Sequence, residues 1–231
     1  MNKIYTVRPH DTLGGIAKAA GLTIKEILAL NPQIKDPDVI GSGMQIVLPD
    51  KVDRSRMIAD LAATRTPGER RWFALAENEE DVTEFKNGSN PRIVEYLATC
   101  NGLSSRQKAD DDTAWCSAFV NWCITLSGVE GTNSPAARSW AKWGIQDTHP
   151  SQGSIVVWKR FQGAQGDMQL VGGHVAFLLA DEGEKLYVLG GNQSNKVCRR
   201  RYPRNGFLKD TVSGSDEIRH RYELESIRIP R

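Results

Sequence analysis

The sequence predicts an α+β protein in two units, and three observations carry that reading. The first fifty residues run strand, helix, helix, strand. The rest of the chain alternates amphipathic helices with short apolar runs of strand character, and Pro49-Asp50-Lys51 opens a polar stretch between the two parts. With 231 residues, 39% of them apolar and 25% charged, the chain can bury one good core with a small module beside it. The expected division is a module over 1–50, a linker over 51–66, a larger unit over 67–213 and a C-terminal extension over 214–231 that either adds a strand or stays loose.

In the module, Ile4-Tyr5-Thr6-Val7 forms a short strand, and Arg8-Pro9-His10-Asp11 turns into a helix capped by Asp11 or Thr12. Thr23 caps a second helix with an apolar stripe at Ile24, Ile27 and Leu28. That helix ends at Asn31-Pro32, because the residue before a proline avoids the helical region. Met44 to Leu48 alternates as the closing strand.

Through Tyr5-Thr6-Val7, Asp11-Thr12-Leu13, Ile16-Ala17, Leu30-Asn31-Pro32 and Gly43-Met44-Gln45-Ile46 with Leu48-Pro49, this segment resembles the LysM module in both order and spacing. The resemblance implies binding of N-acetylglucosamine-containing glycans, peptidoglycan or chitin, in a shallow groove. Asp11, Thr12, Leu13 and Gly14 would form one side of it and Asn31, Pro32, Gln33 and Ile34 the other. Such residues also cap helices and build turns, so both roles stay open at Asp11 and Asn31.

Past the linker, Thr66-Pro67-Gly68-Glu69 starts a helix carrying Trp72, Phe73, Leu75 and Ala76, and Asn90-Pro91 introduces another with Ile93, Tyr96 and Leu97 at helical spacing. Asp111-Asp112-Thr113 reads as the cap of a helix running from about Cys116 to Ser127, stopped by Gly128. Cys116 then lies in the first turn, where backbone N–H groups and the helix dipole favour a thiolate; Asp111 and Asp112 oppose it if close. Cys116, Val120 and Cys123 share one helix face, which also fits a buried stripe, and Cys100, Cys123 and Cys198 are read as packing residues. The irregular cysteine spacing argues against zinc, and neither metal nor cofactor is expected.

Val175 to Leu179 is apolar on both faces and reads as a central strand, with His174 at its start behind Gly172-Gly173. The next strand runs from Leu186 to about Gln193. A hairpin symmetric about Gly183 sets Asn192 opposite His174 on one face; a register slipped by one gives that place to Gln193. A thiol at a helix mouth, an imidazole and an amide to orient it are the parts of a cysteine nucleophile.

Asn90-Pro91-Arg92-Ile93-Val94-Glu95-Tyr96-Leu97, Trp115-Cys116-Ser117-Ala118-Phe119-Val120-Asn121-Trp122-Cys123, Ala137-Arg138-Ser139-Trp140, Gly173-His174-Val175 and Gly190-Gly191-Asn192-Gln193-Ser194 resemble the CHAP and NlpC-type cysteine peptidases and amidases of bacterial cell-wall turnover and phage lysis. The resemblance implies a papain-like α+β fold, with the nucleophile at a helix N-terminus packed on an antiparallel sheet. It makes Cys116 the nucleophile, His174 the base and Asn192 the third, polar member. Gly190 stands where many CHAP enzymes carry an acidic residue, and Ser154 where relatives carry aspartate.

A net charge of +2 is too small to argue for nucleic acid, though it suits an anionic wall polymer, which Lys196, Arg199, Arg200, Arg201 and Arg204 could steer. No apolar run is long enough to span a membrane, and the N-terminus lacks a signal-peptide pattern. Synthesis in the cytoplasm is therefore expected, with action on the cell wall or periplasm after holin release or non-Sec secretion. The function expected is a peptidoglycan hydrolase, a phage lysin or an antibacterial effector, that cleaves a stem-peptide amide or the muramoyl-alanine bond. Its partners would be peptidoglycan and, for an effector, an immunity protein or secretion apparatus. The alternatives are a non-catalytic wall-binding protein with a decayed papain-like domain, and a cysteine acyltransferase or deamidase on another target.

Overall fold

In the module, β1 (Lys3–Thr6) pairs antiparallel with β2 (Gln45–Leu48), in register from Lys3↔Leu48 to Thr6↔Gln45. A computed structural model of the chain describes residues 3–9, 11–49, 70–164, 167–209 and 219–231. The expected linker over 51–66, the helix start at 66–69, His10, and residues 214–218 of the expected extension lie outside the described residues.

Helices α1 (Leu13–Ala20) and α2 (Ile24–Leu30) bury Leu13, Ile16 and Ile27 with Val7, Ile34, Ile46 and Leu48 of the module. Thr12 caps α1, its Oγ1 accepting from the Gly15 N–H at 3.0 Å. Asp11 closes the preceding turn instead, accepting from the Tyr5 hydroxyl at 2.7 Å and the Arg8 N–H at 2.8 Å. Thr23 and Glu26 form a reciprocal capping box at the start of α2.

In the larger unit, α3 (Arg71–Asn78), α4 (Pro91–Ala98), α5 (Ser105–Lys108), α6 (Cys116–Leu126) and a 3-10 turn over Ala137–Lys142 accompany an antiparallel sheet. Its strands are β3 (Ile145–Gln146), β4 (Ile155–Ala164), β5 (Asp167–Asp181), β6 (Lys185–Gly190), β7 (Cys198–Pro203), β8 (Asn205–Lys209) and β9 (Arg219–Ile229). Among the described residues the order is β3-β9-β4-β5-β6-β7, with β8 also on β9.

Strand alternation sorts the side chains into two cores. Ile155, Val157, Val175, Phe177 and Leu189 meet the helices at Tyr96, Trp115 and Phe119. Val156, Trp158, Ala176, Leu178 and Val188 point the other way, toward Tyr202 and Tyr222. The Tyr202 ring of β7 lies 5.2 Å from Trp158 of β4 and 5.0 Å from Tyr222 of β9. Since β5 and β6 separate β4 from β7, the sheet must curl until these rings meet inside it.

Two expectations are corrected and one left open is decided. His174 lies in the middle of β5, because the glycine pair before it is extended and continues the pairing with β4 through Lys159↔Gly173 and Arg160↔Gly172. Of the two courses open to the tail, the described part from Arg219 takes the strand: β9 runs between β3 and β4, anchored by buried Tyr222 and Ile227. Asp111 does not cap α6. Its buried carboxylate accepts from the N–H groups of Phe85 and Asn90 at 3.0 and 2.8 Å, and the N-cap is Trp115, with no side-chain cap.

The module meets the larger unit at α4. Glu26 Oε1 lies 3.2 Å from Arg92 Nη2, and both side chains are 1% exposed. Arg92 also pairs with fully buried Glu79, which takes the Tyr96 hydroxyl as well, and its guanidinium stands 4.5 Å over the Trp122 ring.

Candidate active site

The site forms where two neighbouring strands part. Pairing of β5 with β6 follows the symmetric register at Phe177↔Leu189 and Leu178↔Val188 and then ends, because β6 stops at Gly190. The edge of β5 from Gly172 to Val175 therefore lacks a β6 partner, and the first turn of α6 reaches it, near enough for the Val175 N–H to favour the Cys116 thiolate. His174 is the adjoining residue. Its ring points into the curled sheet, stacked 4.8 Å from Tyr202 and 6.0 Å from Trp158.

Beyond Gly190 the chain turns sharply. Gly191 packs against the start of α6 so closely that a Cβ would stand 2.6 Å from Trp115 and 2.7 Å from Phe119. Asn192, Ser194 and Asn195 all adopt the left-handed conformation, at φ of 54°, 57° and 62°. That turn carries Asn192 away from the position a continued strand would have given it. Gln193 is delivered instead: its Oε1 lies 3.0 Å from His174 Nε2, with the side chain 1% exposed.

The second end of the Gln193 amide settles the proton. Its Nε2 donates to the Cys198 carbonyl, which can only accept, so Oε1 must face the imidazole. His174 Nε2 then carries a hydrogen, and in the neutral imidazole Nδ1 keeps its lone pair. This is the tautomer a base toward a thiol requires. The Asn192 side chain makes no hydrogen bond among the described residues, so of the two amides the sequence leaves open, Gln193 and not Asn192 is the one that meets His174.

The thiol itself is not activated by its helix. Burial pushes Cys116 above the ordinary cysteine range, and the N–H groups of Val175 and Ser117, the Arg160 charge and its own N–H pull it back only in part. Cys100, Cys123 and Cys198 are pushed up by burial as well, and all four thiols are free. Position against β5, not a lowered pKa, distinguishes Cys116.

Around the site, Ser154 is fully buried and donates to Asp147 Oδ2 at 2.7 Å while accepting from Arg70. Asp147 thus supplies a carboxylate beside Ser154. Trp115, Trp140 and Trp158 are core residues. The basic run is largely neutralised: Arg199 pairs with Glu80 at 3.0 Å, Arg201 with Glu182 at 2.8 Å, and Arg204 with Asp181.

On the module, the expected glycan residues divide. Thr12, Gly14, Pro32 and Gln33 are exposed and Asp11 is half-buried, whereas the side chains of Leu13, Asn31 and Ile34 are buried. Asn31 is structural: its Nδ2 donates to the carbonyls of Ile27 and Val47 at 2.7 and 2.8 Å, and its Oδ1 accepts from the Val47 N–H at 2.9 Å. An amide so fully used has nothing left for a sugar.

Helices on a curled antiparallel sheet, with a thiol, an imidazole and an amide at one strand edge, define the architecture of a cysteine amidohydrolase domain, here behind a βααβ module. Residues 5–49 match the LysM domain and residues 108–192 match the CHAP domain, so the chain carries a LysM domain followed by a CHAP domain. Together these domains imply a peptidoglycan hydrolase, with LysM binding the wall and CHAP supplying the amidase or peptidase. The chain has no match among the curated proteins. Among the described residues, no helix is long and apolar enough to cross a membrane.

The choice between neighbouring amides is directly measurable. Gln193→Ala is expected to lower kcat on the order of 10²-fold by releasing the imidazole, with KM little changed. Asn192→Gly, which keeps the left-handed backbone, is expected to stay within about threefold of wild type. Equal losses in the two variants would restore Asn192 to the site.

Proposed function

We propose that this protein hydrolyses an amide of peptidoglycan, in the stem peptide or at its attachment to muramic acid, with Cys116 as nucleophile. His174 Nδ1 takes the thiol proton as sulfur attacks the carbonyl, and the Cys116 N–H at the uncapped start of α6 holds the oxyanion. The imidazolium then protonates the leaving amine. Water, activated by the same nitrogen, clears the thioester. Gln193 acts on the imidazole alone, as a positioning residue.

The observation that carries this reading is the Gln193 amide, held by the Cys198 carbonyl so that His174 presents Nδ1 as a base next to the strand edge where Cys116 lies. The LysM domain would hold the wall through Asp11, Thr12, Gly14, Pro32 and Gln33. The site of action proposed is the cell wall, reached by lysis or by secretion as an antibacterial effector.

The test is mass spectrometry of purified sacculi, of both the diaminopimelate and the lysine type, digested with wild-type protein. New amine ends are expected, and the fragment masses name the bond. Walls that bind the protein but yield no fragments would leave only the binding function.

A further inference from the structure

One cation beside the site has no partner among the described residues. Arg160 lies on β4 directly across from Gly172, two residues from Trp158, which faces His174. Between the bulges on either side of this stretch the alternation is regular, so Trp158, Arg160 and His174 share the inner face of the sheet. Arg70, Arg92, Arg138, Arg199, Arg201, Arg204 and Arg221 each pair with a carboxylate. Arg160 pairs with none among the described residues, and its Nε is buried with no hydrogen-bond partner.

A buried N–H on a cation is costly to leave unmet, and such groups in native proteins ordinarily have a role. Space for a partner exists. A side chain at Gly172, across the ladder from Arg160, would meet no atom within 4 Å. The Arg160 charge is also felt at the Cys116 thiol, so anything bound there lies close to the reacting atoms.

We propose that Arg160 is a specificity residue that binds a free carboxylate of the stem peptide beside the amide presented to Cys116. The inference rests on the hydrolase reading above for its choice of substrate. A guanidinium edge offers two parallel N–H donors that match one planar carboxylate. The stem peptide, which carries free α-carboxylates close to its amides, supplies the fitting group.

Calorimetry on the Cys116→Ala protein tests this without turnover. The probes are the stem tetrapeptide L-Ala-γ-D-Glu-L-Lys-D-Ala and the same peptide with its carboxylates converted to carboxamides. The acid is expected to bind at least about tenfold more tightly than the amide. Adding Arg160→Gln should erase the difference by weakening the acid alone, and Arg160→Lys should restore part of it, keeping the charge without the fork. Equal affinity for acid and amide, a preference that survives Arg160→Gln, or no binding of either peptide would overturn the proposal.

Alkylation of Cys116 by iodoacetamide, followed by peptide mass in the wild-type and Arg160→Gln proteins, separates the competing role. A moved pH profile with unchanged peptide selectivity would assign Arg160 to the thiol and overturn the proposal. The two readings fail separately. Sacculi cleaved by a protein that shows no acid preference remove only the role of Arg160, whereas acid preference without fragment release removes only the hydrolase.

Discussion

Replacing Cys116 with alanine is expected to lower the rate of wall hydrolysis on the order of 10⁴-fold or more while the protein still binds sacculi. The size follows from what is lost. His174 and Gln193 can polarise water, but neither forms the covalent intermediate that divides amide cleavage into two easier steps. Burial holds the thiol up, so the proposed mechanism couples attack to proton transfer to His174 Nδ1. Cys116→Ser is therefore expected to be nearly as inactive, since a hydroxyl is harder still to deprotonate. Turbidity loss of sacculi with a parallel sedimentation assay reads both properties. Hydrolysis within tenfold of wild type in the alanine variant would exclude Cys116 as nucleophile.

Arg92→Met is expected to cost about 3–5 kcal/mol of stability, a fall in Tm of roughly 6–20 °C. Arg92 is 1% exposed and Glu79 fully buried, so removing the guanidinium strands a carboxylate in the core with only the Tyr96 hydroxyl as neighbour there. Burial acts to pull the Arg92 pKa down, yet the Glu79 charge and hydrogen bond, with Tyr96 and Glu26, hold it well above its ordinary value. The double change Arg92→Met with Glu79→Gln should recover much of the loss, because it removes the stranded charge. Thermal melts of the three proteins decide this. A single variant within 1 kcal/mol of wild type would mean that water reaches Glu79 and the network is not closed.

Arg92 also shows where reading the chain residue by residue stops. The Asn90-Pro91 start and the Ile93, Tyr96, Leu97 stripe are local signals, and the helix forms there, with Asn90 accepting from the Arg92 N–H. Nothing local says that Arg92 is interior, because its partners Glu26 and Glu79 lie 66 and 13 residues away. The basic run at 199–204 fails for the same reason: its acids come from other parts of the chain.

What the sequence by itself determined are properties decided within a few residues: the two units, the cap at Thr23, the helix start at Asn90-Pro91 and the apolar β5. Only the tertiary structure decided which amide meets His174, that Asn31 is interior, that the tail from Arg219 is a strand between β3 and β4, and that Arg160 is left without a carboxylate. The hairpin makes the reason plain. Its register near the site was legible from the symmetry about Gly183, but the place where pairing ends is set by Gly191 pressing on Trp115 and Phe119 of a helix more than seventy residues earlier. Periodicity and capping are local free energies written in neighbouring residues; the end of a strand, the partner of a charge and the burial of an amide are set by whatever the rest of the chain brings alongside.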